Sequence, residues 1–433
     1  MEPKTKKLPI INIHTHIFTN KNVPNQYINL LYIPLVPLLR SKLVTKLVDG
    51  ISFITSRLKK ILPFFSLNIN HEYIDRFSRL LSIGGHESQA SIFQILQAHY
   101  PPDAKFVILS LNMKFMGAGR ITNGFGAQIK NLAALKKLHS DQVIPFYHVD
   151  PREDNIIHKV KEHVIDPNGA FHGIKLYPSL GYFPFPFPNT YQVDGKEFQT
   201  SHAPMSNEDH LEEIYSMAQE HNIPIITHVT PGGVLGRRRK YKSHPITGRK
   251  MAWYQSRPAY VYNFAHPMNY EYLLQKFPDL KICLAHFGGQ AEWKRHLAEP
   301  LIHRGSALIK NEKDIYDQLH DPNSKFVYPA WNPTKQRVEE LSWLSVIRYL
   351  MIKYTNVYAD ISYNAYTPDT LALLKLLIND DRLKEKILFG TDFHVLRIEK
   401  SEKEFSMSMR AFIGEERFDQ IARINPAKFL ERA

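Results

Sequence analysis

The 433-residue chain contains a single cysteine, Cys283. That excludes an intrachain disulfide and disfavours a thiolate-bound structural zinc, and the position of Cys283 inside the apolar run LKICLAHF reads as a small core residue. Nothing here requires an oxidising compartment. Long apolar runs are also missing. The most apolar stretch, INLLYIPLVPLL at 28–39, is too short to span a bilayer and carries Pro34 and Pro37, so no transmembrane segment is expected. The opening MEPKTKKLPI has basic residues but no apolar stretch behind them, so no secretory signal is read and a cytoplasmic location is expected. No G-x-G-x-x-G turn follows the first apolar run, which removes the usual dinucleotide-binding open sheet. Internal repeats and low-complexity linkers are absent, so residues 1–433 read as one elaborated domain.

Hydrophobic residues make up 43% of the chain, ample for a large core. Lys and Arg outnumber Asp and Glu by 55 to 42, a net charge of +13, which favours encounter with anionic surfaces or substrates. The excess is dispersed except at GRRRKYK, residues 236–242, where Arg237, Arg238, Arg239 and Lys240 read as a solvated loop. The segment SKLVTKLVDGISFITSRLKKIL repeats Leu43, Leu47, Ile51, Ile54, Leu58 and Ile61 at helical spacing between basic residues. A helix packed on its own domain accounts for that pattern better than a membrane-surface helix. Together these two features are the basis of the lowest-ranked reading, a non-enzymatic basic binding protein.

Short apolar runs recur at 9–18, 105–113, 142–151, 171–181, 223–233, 280–289, 356–362 and 386–394, with helix-like segments such as AQIKNLAALKKLHS and TLALLKLLINDDRLKE between them. About eight strands alternating with helices predict a closed (β/α)8 TIM barrel. The gaps are uneven, and the long ones are expected as loop insertions at the C-terminal face, including a capping insertion at about 18–104.

Polar residues recur where these strands end. In PIINIHTHIF, His14 and His16 stand two apart on a strand and should project together. Lys175 ends the fourth run, His228 the fifth, His286 the sixth and Asp392 the eighth. Any one of these could be structural, but imidazoles and a carboxylate gathered at one barrel face suit zinc or a similar divalent transition metal. Lys175 cannot coordinate as an ammonium, and a fully buried, unpaired Lys175 is the costliest arrangement and is not expected. His148, Tyr177, His266 and Arg397 are candidate substrate contacts. Asp150 and His394 are weaker candidates, and Asp360 is a candidate acceptor for a histidine N–H.

The motifs HTH at 14–16, GIKLYPSLGY at 173–182, ITHVT at 226–230, FPDLKICLAHFGG at 277–289, NVYADIS at 356–362, FGTDFH at 389–394 and NPAKFL at 425–430 resemble, in this order, the amidohydrolase superfamily. The likeness is to its amidohydrolase-related branch, which includes aminocarboxymuconate semialdehyde decarboxylase. The resemblance implies that His14, His16 and His228 are metal ligands, that His286 is a ligand or catalytic acid/base, and that Asp392 is a ligand that also handles a proton. In some superfamily members a lysine placed like Lys175 is carboxylated and bridges two metals; one metal, most simply zinc with manganese as the alternative, is the expectation. The first reading is a hydrolase attacking an amide, lactone or ester carbonyl of a small molecule. The second is a metal-dependent decarboxylase of an unsaturated or aromatic carboxylic acid. No nucleic-acid partner is expected, and a homo-oligomer is compatible with the sequence.

Overall fold

The computed structural model describes residues 7–27, 82–185, 209–234, 236, 264–298 and 342–432, with the backbone of short strand pieces at 29–30, 33–34, 190–193, 196–199, 331–332 and 337–338. The amphipathic segment at 42–61, Arg237 to Lys242 of the basic run and most of the expected capping insertion lie outside the described residues.

Eight parallel strands form one sheet: β1 Ile11–Thr15, β2 Lys105–Leu109, β3 Val143–Val149, β4 Gly173–Leu176, β5 Ile225–His228, β6 Ile282–Ala285, β7 Val357–Asp360 and β8 Ile387–Leu388. Each pairs with its sequence neighbour. The last strand returns to the first, because the Ile13 N–H donates to Phe389 O at 2.9 Å and the Asp392 N–H to His14 O at 2.8 Å. The sheet is therefore the expected barrel, and all eight apolar runs contribute a strand. The longest connections leave the C-terminal ends of β1, β4, β5 and β6.

Alternation along the strands explains why they read as continuous apolar runs. Ile11, Ile13, Val107, Leu109, Phe146, Ile226, Cys283, Ala285 and Leu388 form one cluster inside the barrel, with Phe429 and Leu430 among them. Phe106, Ile108, Tyr147, Val149, Ile174, Leu176, Ile225, Ile282, Leu284, Val357 and Ala359 face the other way, into the core shared with the helices. Both faces of each strand are covered, as in parallel sheets generally. Cys283 is buried in the interior cluster, as its sequence context implied.

The expected helical segments form where the periodicity placed them: α1 Phe125–Leu138, α2 Asp209–Glu220 and α3 Pro368–Ile378. In α2 the buried residues Leu211, Ile214, Tyr215 and Ala218 recur at helical spacing and make one apolar stripe. Helix α3 starts with Pro368 after a Thr367–Thr370 capping box, which ties down its first orphan N–H groups. The closing NPAKFL is the helix α4 Asn425–Leu430, and its first residue secures the two-residue strand β8. Asn425 is fully buried, and its Nδ2 donates to Lys384 O at 2.7 Å and Ile387 O at 2.8 Å.

Asn425→Asp replaces that double donor with a carboxylate facing two carbonyl oxygens. Leaving both acceptors unpaired should cost about 2–4 kcal/mol of stability. Urea unfolding checks this, and a variant within about 0.5 kcal/mol of wild type would refute the assigned role.

Candidate metal centre

At the C-terminal mouth of the barrel, one ligand atom from each of His14, His286 and Asp392 lies within 4.8 Å of the others, and all three residues are buried. The way each arrives follows from local backbone features. Along β1, Ile11 and Ile13 face the interior, so a regular strand would turn His14 outward. The pairing with β2 runs Asn12 to Phe106 and then Thr15 to Ile108, three steps against two. That extra residue is a β-bulge, and it brings His14 and then His16 round to the inside. The rings stand edge to face at 5.5 Å.

His286 follows β6 directly, in a turn where His286, Phe287, Gly288 and Gly289 all have positive φ. Asp392 also lies in the left-handed region, at φ 54° and ψ 58°, and opens the short helix Phe393–Leu396. Strand β8 has ended four residues earlier, so His394 belongs to this helix. Gly390 permits the approach, since a Cβ there would come within 2.8 Å of the His14 Cβ.

Hydrogen bonds assign the protons. His14 Nδ1 lies 2.9 Å from Asp360 Oδ2, and Asp360 also accepts the backbone N–H groups of His286 and Ser362, both at 3.0 Å. Burial alone would raise the Asp360 carboxyl, but His14, His286 and Ser362 outweigh it and hold the group far below the usual carboxylate range. An ionised Asp360 therefore keeps the proton on His14 Nδ1, leaving a lone pair on Nε2. That Nε2 is buried without a partner, as is Asp392 Oδ1. A bare imidazole nitrogen and a bare carboxylate oxygen, both desolvated, are costly alone and satisfied together by a cation.

His286 and His228 carry a similar deficit. His286 Nδ1 faces Ser362 O at 3.0 Å, His228 Nε2 faces Gly232 O at 2.9 Å, and the inner nitrogens, His286 Nε2 and His228 Nδ1, stand 3.1 Å apart. The three gaps need three protons, and two neutral imidazoles supply two. Burial first, then the neighbouring histidines and Lys175, lower His286 to about 3 and His228 well below its ordinary value, so no third proton is held near neutral pH. With both outer gaps filled, two lone pairs face one another across the inner gap. The donor set of imidazole nitrogens with one carboxylate suits zinc or manganese.

The remaining candidates divide into those at the cavity and those away from it. A cavity of about 300 Å³ is lined by His16, Tyr177, His228, His286 and Asp392, with Phe18, Val23 and Tyr27 from the segment after β1. His16 bonds through Nδ1 to Leu109 O at 2.9 Å and is not part of the three-residue ligand group. The Tyr177 ring stacks on His228 at 4.0 Å, and its hydroxyl accepts the Val234 N–H at 3.0 Å. Gly233 makes this packing possible, because at φ +93° a Cβ would lie 2.5 Å from the Tyr177 hydroxyl.

His266 and Arg397 do not line the cavity. His266 accepts the Met268 N–H at 3.2 Å and packs against Trp343, while the Arg397 guanidinium sits over Phe393. His148 accepts the Asn112 N–H at 3.2 Å through Nδ1 and does not line the cavity either, although its Nε2 is buried without a partner. Asp150 is taken by Arg152, with contacts of 2.7 and 2.5 Å. His394 Nδ1 and Nε2 face His16 O and Phe18 O at 2.6 and 2.9 Å, and its one N–H donates to one of them, bracing the segment after β1.

Lys175 departs from expectation. It is fully buried and its Nζ has no hydrogen-bond partner. Two nearby carboxylates, Asp360 and Asp392, offset part of the cost, but burial dominates and pulls the ammonium down to about 8. The arrangement judged too expensive from sequence is thus tolerated by moving the lysine toward its neutral form.

Residues 113–306 match the amidohydrolase family model. No curated protein matches the chain. Among solved structures, the chain is similar to a manganese-bound 5-carboxyvanillate decarboxylase from Novosphingobium aromaticivorans, at 11% identity over 99% of both chains and a TM-score of 0.49. A zinc-bound amidohydrolase from Burkholderia multivorans aligns at 9% identity over 82% of this chain and 92% of that one, with a TM-score of 0.44. A TIM-barrel protein from Bordetella bronchiseptica aligns at 14% identity over 78% and 82%, with a TM-score of 0.42. None of the three reaches 0.5, so the site rests on this chain's own geometry. The match over residues 113–306 agrees with the amidohydrolase resemblance carried by the sequence motifs.

Lys175 gives a pH test in metal-free protein. Its folded pKa is depressed, so the native state is penalised below about 8 and recovers as pH rises toward the unfolded value near 10.5. Lys175→Met should raise stability at pH 7 by up to about 3 kcal/mol, with the gain shrinking above pH 8. A variant less stable than wild type at pH 7 in urea unfolding would show that Lys175 is paired.

Proposed function

We propose that the chain is a metal-dependent hydrolase that activates water against a carbonyl carbon of a small molecule, an amide, lactone or ester. The observation that carries the reading is that buried His14, His286 and Asp392 bring ligand atoms together, while His14 Nε2 and Asp392 Oδ1 have no hydrogen-bond partner. In this reading His14, His286 and Asp392 hold one divalent cation, zinc or manganese, with His228 and His16 completing its surroundings. Such a cation lowers the pKa of water to about 7 and polarises a carbonyl oxygen.

The chain's own groups supply the rest. Asp392 takes the proton of the attacking water and returns it to the leaving group; burial raises its carboxyl above the usual range, toward the values at which both steps are feasible. Asp360 fixes the His14 ring and its tautomer. Tyr177, stacked on His228, holds that ring at the cavity wall, and Phe18, Val23 and Tyr27 keep water from the opposite side. The insertion at about 18–104 then serves as the cap of the site. Lys175 stays uncoordinated and without a hydrogen bond, its charge only partly offset by Asp360 and Asp392.

A second reading keeps the same centre and changes the substrate. Phe18, Tyr27, Tyr177 and Tyr363 give the cavity aromatic walls that fit a planar ring, which favours a decarboxylase of an aromatic acid. Asp392 would then deliver its proton to the ring carbon as carbon dioxide leaves.

Elemental analysis of untagged protein should find about one zinc or manganese per chain, lost in His14→Ala. Two per chain would support a carboxylated Lys175 bridge, and none after reconstitution with either metal would refute both enzyme readings. Metal-loaded protein should hydrolyse some member of a panel of lactones, esters and amides, with kcat about 10²–10⁴-fold lower in Asp392→Asn. Release of carbon dioxide from hydroxybenzoates without hydrolysis of that panel would transfer the assignment to the second reading.

A further inference from the structure

Behind the metal centre, at the seam where the barrel closes, lies a second buried polar cluster that takes no part in the chemistry above. Asn12 stands two residues before His14, and Thr391 one before Asp392. Asn12 Nδ2 faces three acceptors, the Thr391 hydroxyl at 2.8 Å, the Tyr100 hydroxyl at 2.9 Å and Glu402 Oε1 at 3.2 Å. The Tyr100 hydroxyl donates to the same Glu402 oxygen at 2.6 Å. Glu402 is 1% exposed, and its other oxygen, Oε2, is buried without a partner.

A carboxyl buried this deeply is costly, and burial pushes it up to about 7 against the hydrogen bonds from Thr391 and Tyr100. Its place at the start of the helix Glu402–Ile413 does not explain the burial, because an acid there meets the helix N-terminus equally well from the surface. The geometry around Asn12 does. Acceptors gathered on the Nδ2 side force the amide to present Oδ1 to the other side, where the His14 N–H lies at 3.3 Å. This is the residue at which β1 bulges, so the His14 N–H leaves the regular ladder and finds its acceptor in Asn12. On the far side of the seam, Thr391 and Asp392 both donate their N–H to His14 O, at 3.3 and 2.8 Å.

We propose that Glu402 is a positioning residue: through Asn12 it holds the bulge that turns the His14 ring inward, and through Thr391 it holds the backbone that carries Asp392. Its role is that of a fixed acceptor, so an amide can stand in for the acid while an apolar side chain cannot. The structural claim is independent of the proposed function; its consequence for metal binding rests on that reading.

The test compares Glu402→Gln and Glu402→Leu in the full chain by two readouts, hydrogen–deuterium exchange of peptides covering 11–16 and 389–396 in metal-free protein, and zinc affinity by competition with a chelating dye. Glu402→Leu should speed exchange at least tenfold in both peptides and weaken zinc at least tenfold, while Glu402→Gln stays within about threefold of wild type in each. Unchanged exchange in a folded Glu402→Leu overturns the proposal, and so do equal effects in the two variants, which would trace to charge. Should Glu402→Leu fail to fold, Tyr100→Phe decides: faster exchange in the same peptides supports the proposal and wild-type exchange overturns it. Wild-type protein that binds neither zinc nor manganese refutes the metal reading, and the exchange data still judge Glu402.

Discussion

The hydrogen bond between Asp360 and His14 is the constraint on which the site depends. Asp360 is fully buried at the end of β7, where an ionised carboxylate is tolerated only because it receives His14 Nδ1–H, two backbone N–H groups and the Ser362 hydroxyl. In return it fixes which nitrogen of His14 is bare. It also ties three strands together at one point, since its partners come from β1, from the turn after β6 and from the segment after β7. Were Asp360 replaced by an apolar residue, His14 would lose both its tautomer and its orientation, and the turn that carries His286 would lose an anchor.

Around that bond, the fold concentrates backbone strain where ligands must converge. His286, Phe287 and Asp392 hold positive φ with side chains that rarely adopt it, and each lies at the mouth of the barrel. The bulge in β1 serves the same end on the other side of the seam. A barrel of regular strands would have placed Ile13 and His14 on opposite faces, and the extra residue lets one short run supply both core packing and a ligand.

Much of this was legible in the sequence. All eight strands were visible as apolar runs bounded by turn residues, because strands covered on both faces leave a strong continuous signal, and a run of helical spacing separates most of them. His14, His286 and Asp392 were visible as polar residues at strand ends, and Asp360 as a polar residue in an apolar strand. The bulge was not legible, since parity in IINIHTH counts the same whether or not a residue is extruded. His266 and Arg397 were placed at the cavity by the kind of side chain they carry, yet local turns hold them elsewhere. Ser362, Glu402 and the glycines at 233 and 390 were missed because their roles come from contacts between distant segments; FGTDFH did carry a glycine hint. Asp392 was legible as a charge partner for Lys175, but burial without a hydrogen bond was judged too costly; Asp360 as a second nearby carboxylate and the lysine's freedom to approach the neutral form lower that cost.

The central claim is that His14 Nε2, His286 and Asp392 Oδ1 converge on one cation. Anomalous diffraction at the zinc and manganese edges, from crystals grown with each metal, tests it most directly. One strong peak is expected within coordination distance of His14 Nε2 and Asp392 Oδ1, with His14 Nδ1 still bonded to Asp360. Metal found only at surface sites, with those two atoms bridged by water, would contradict it.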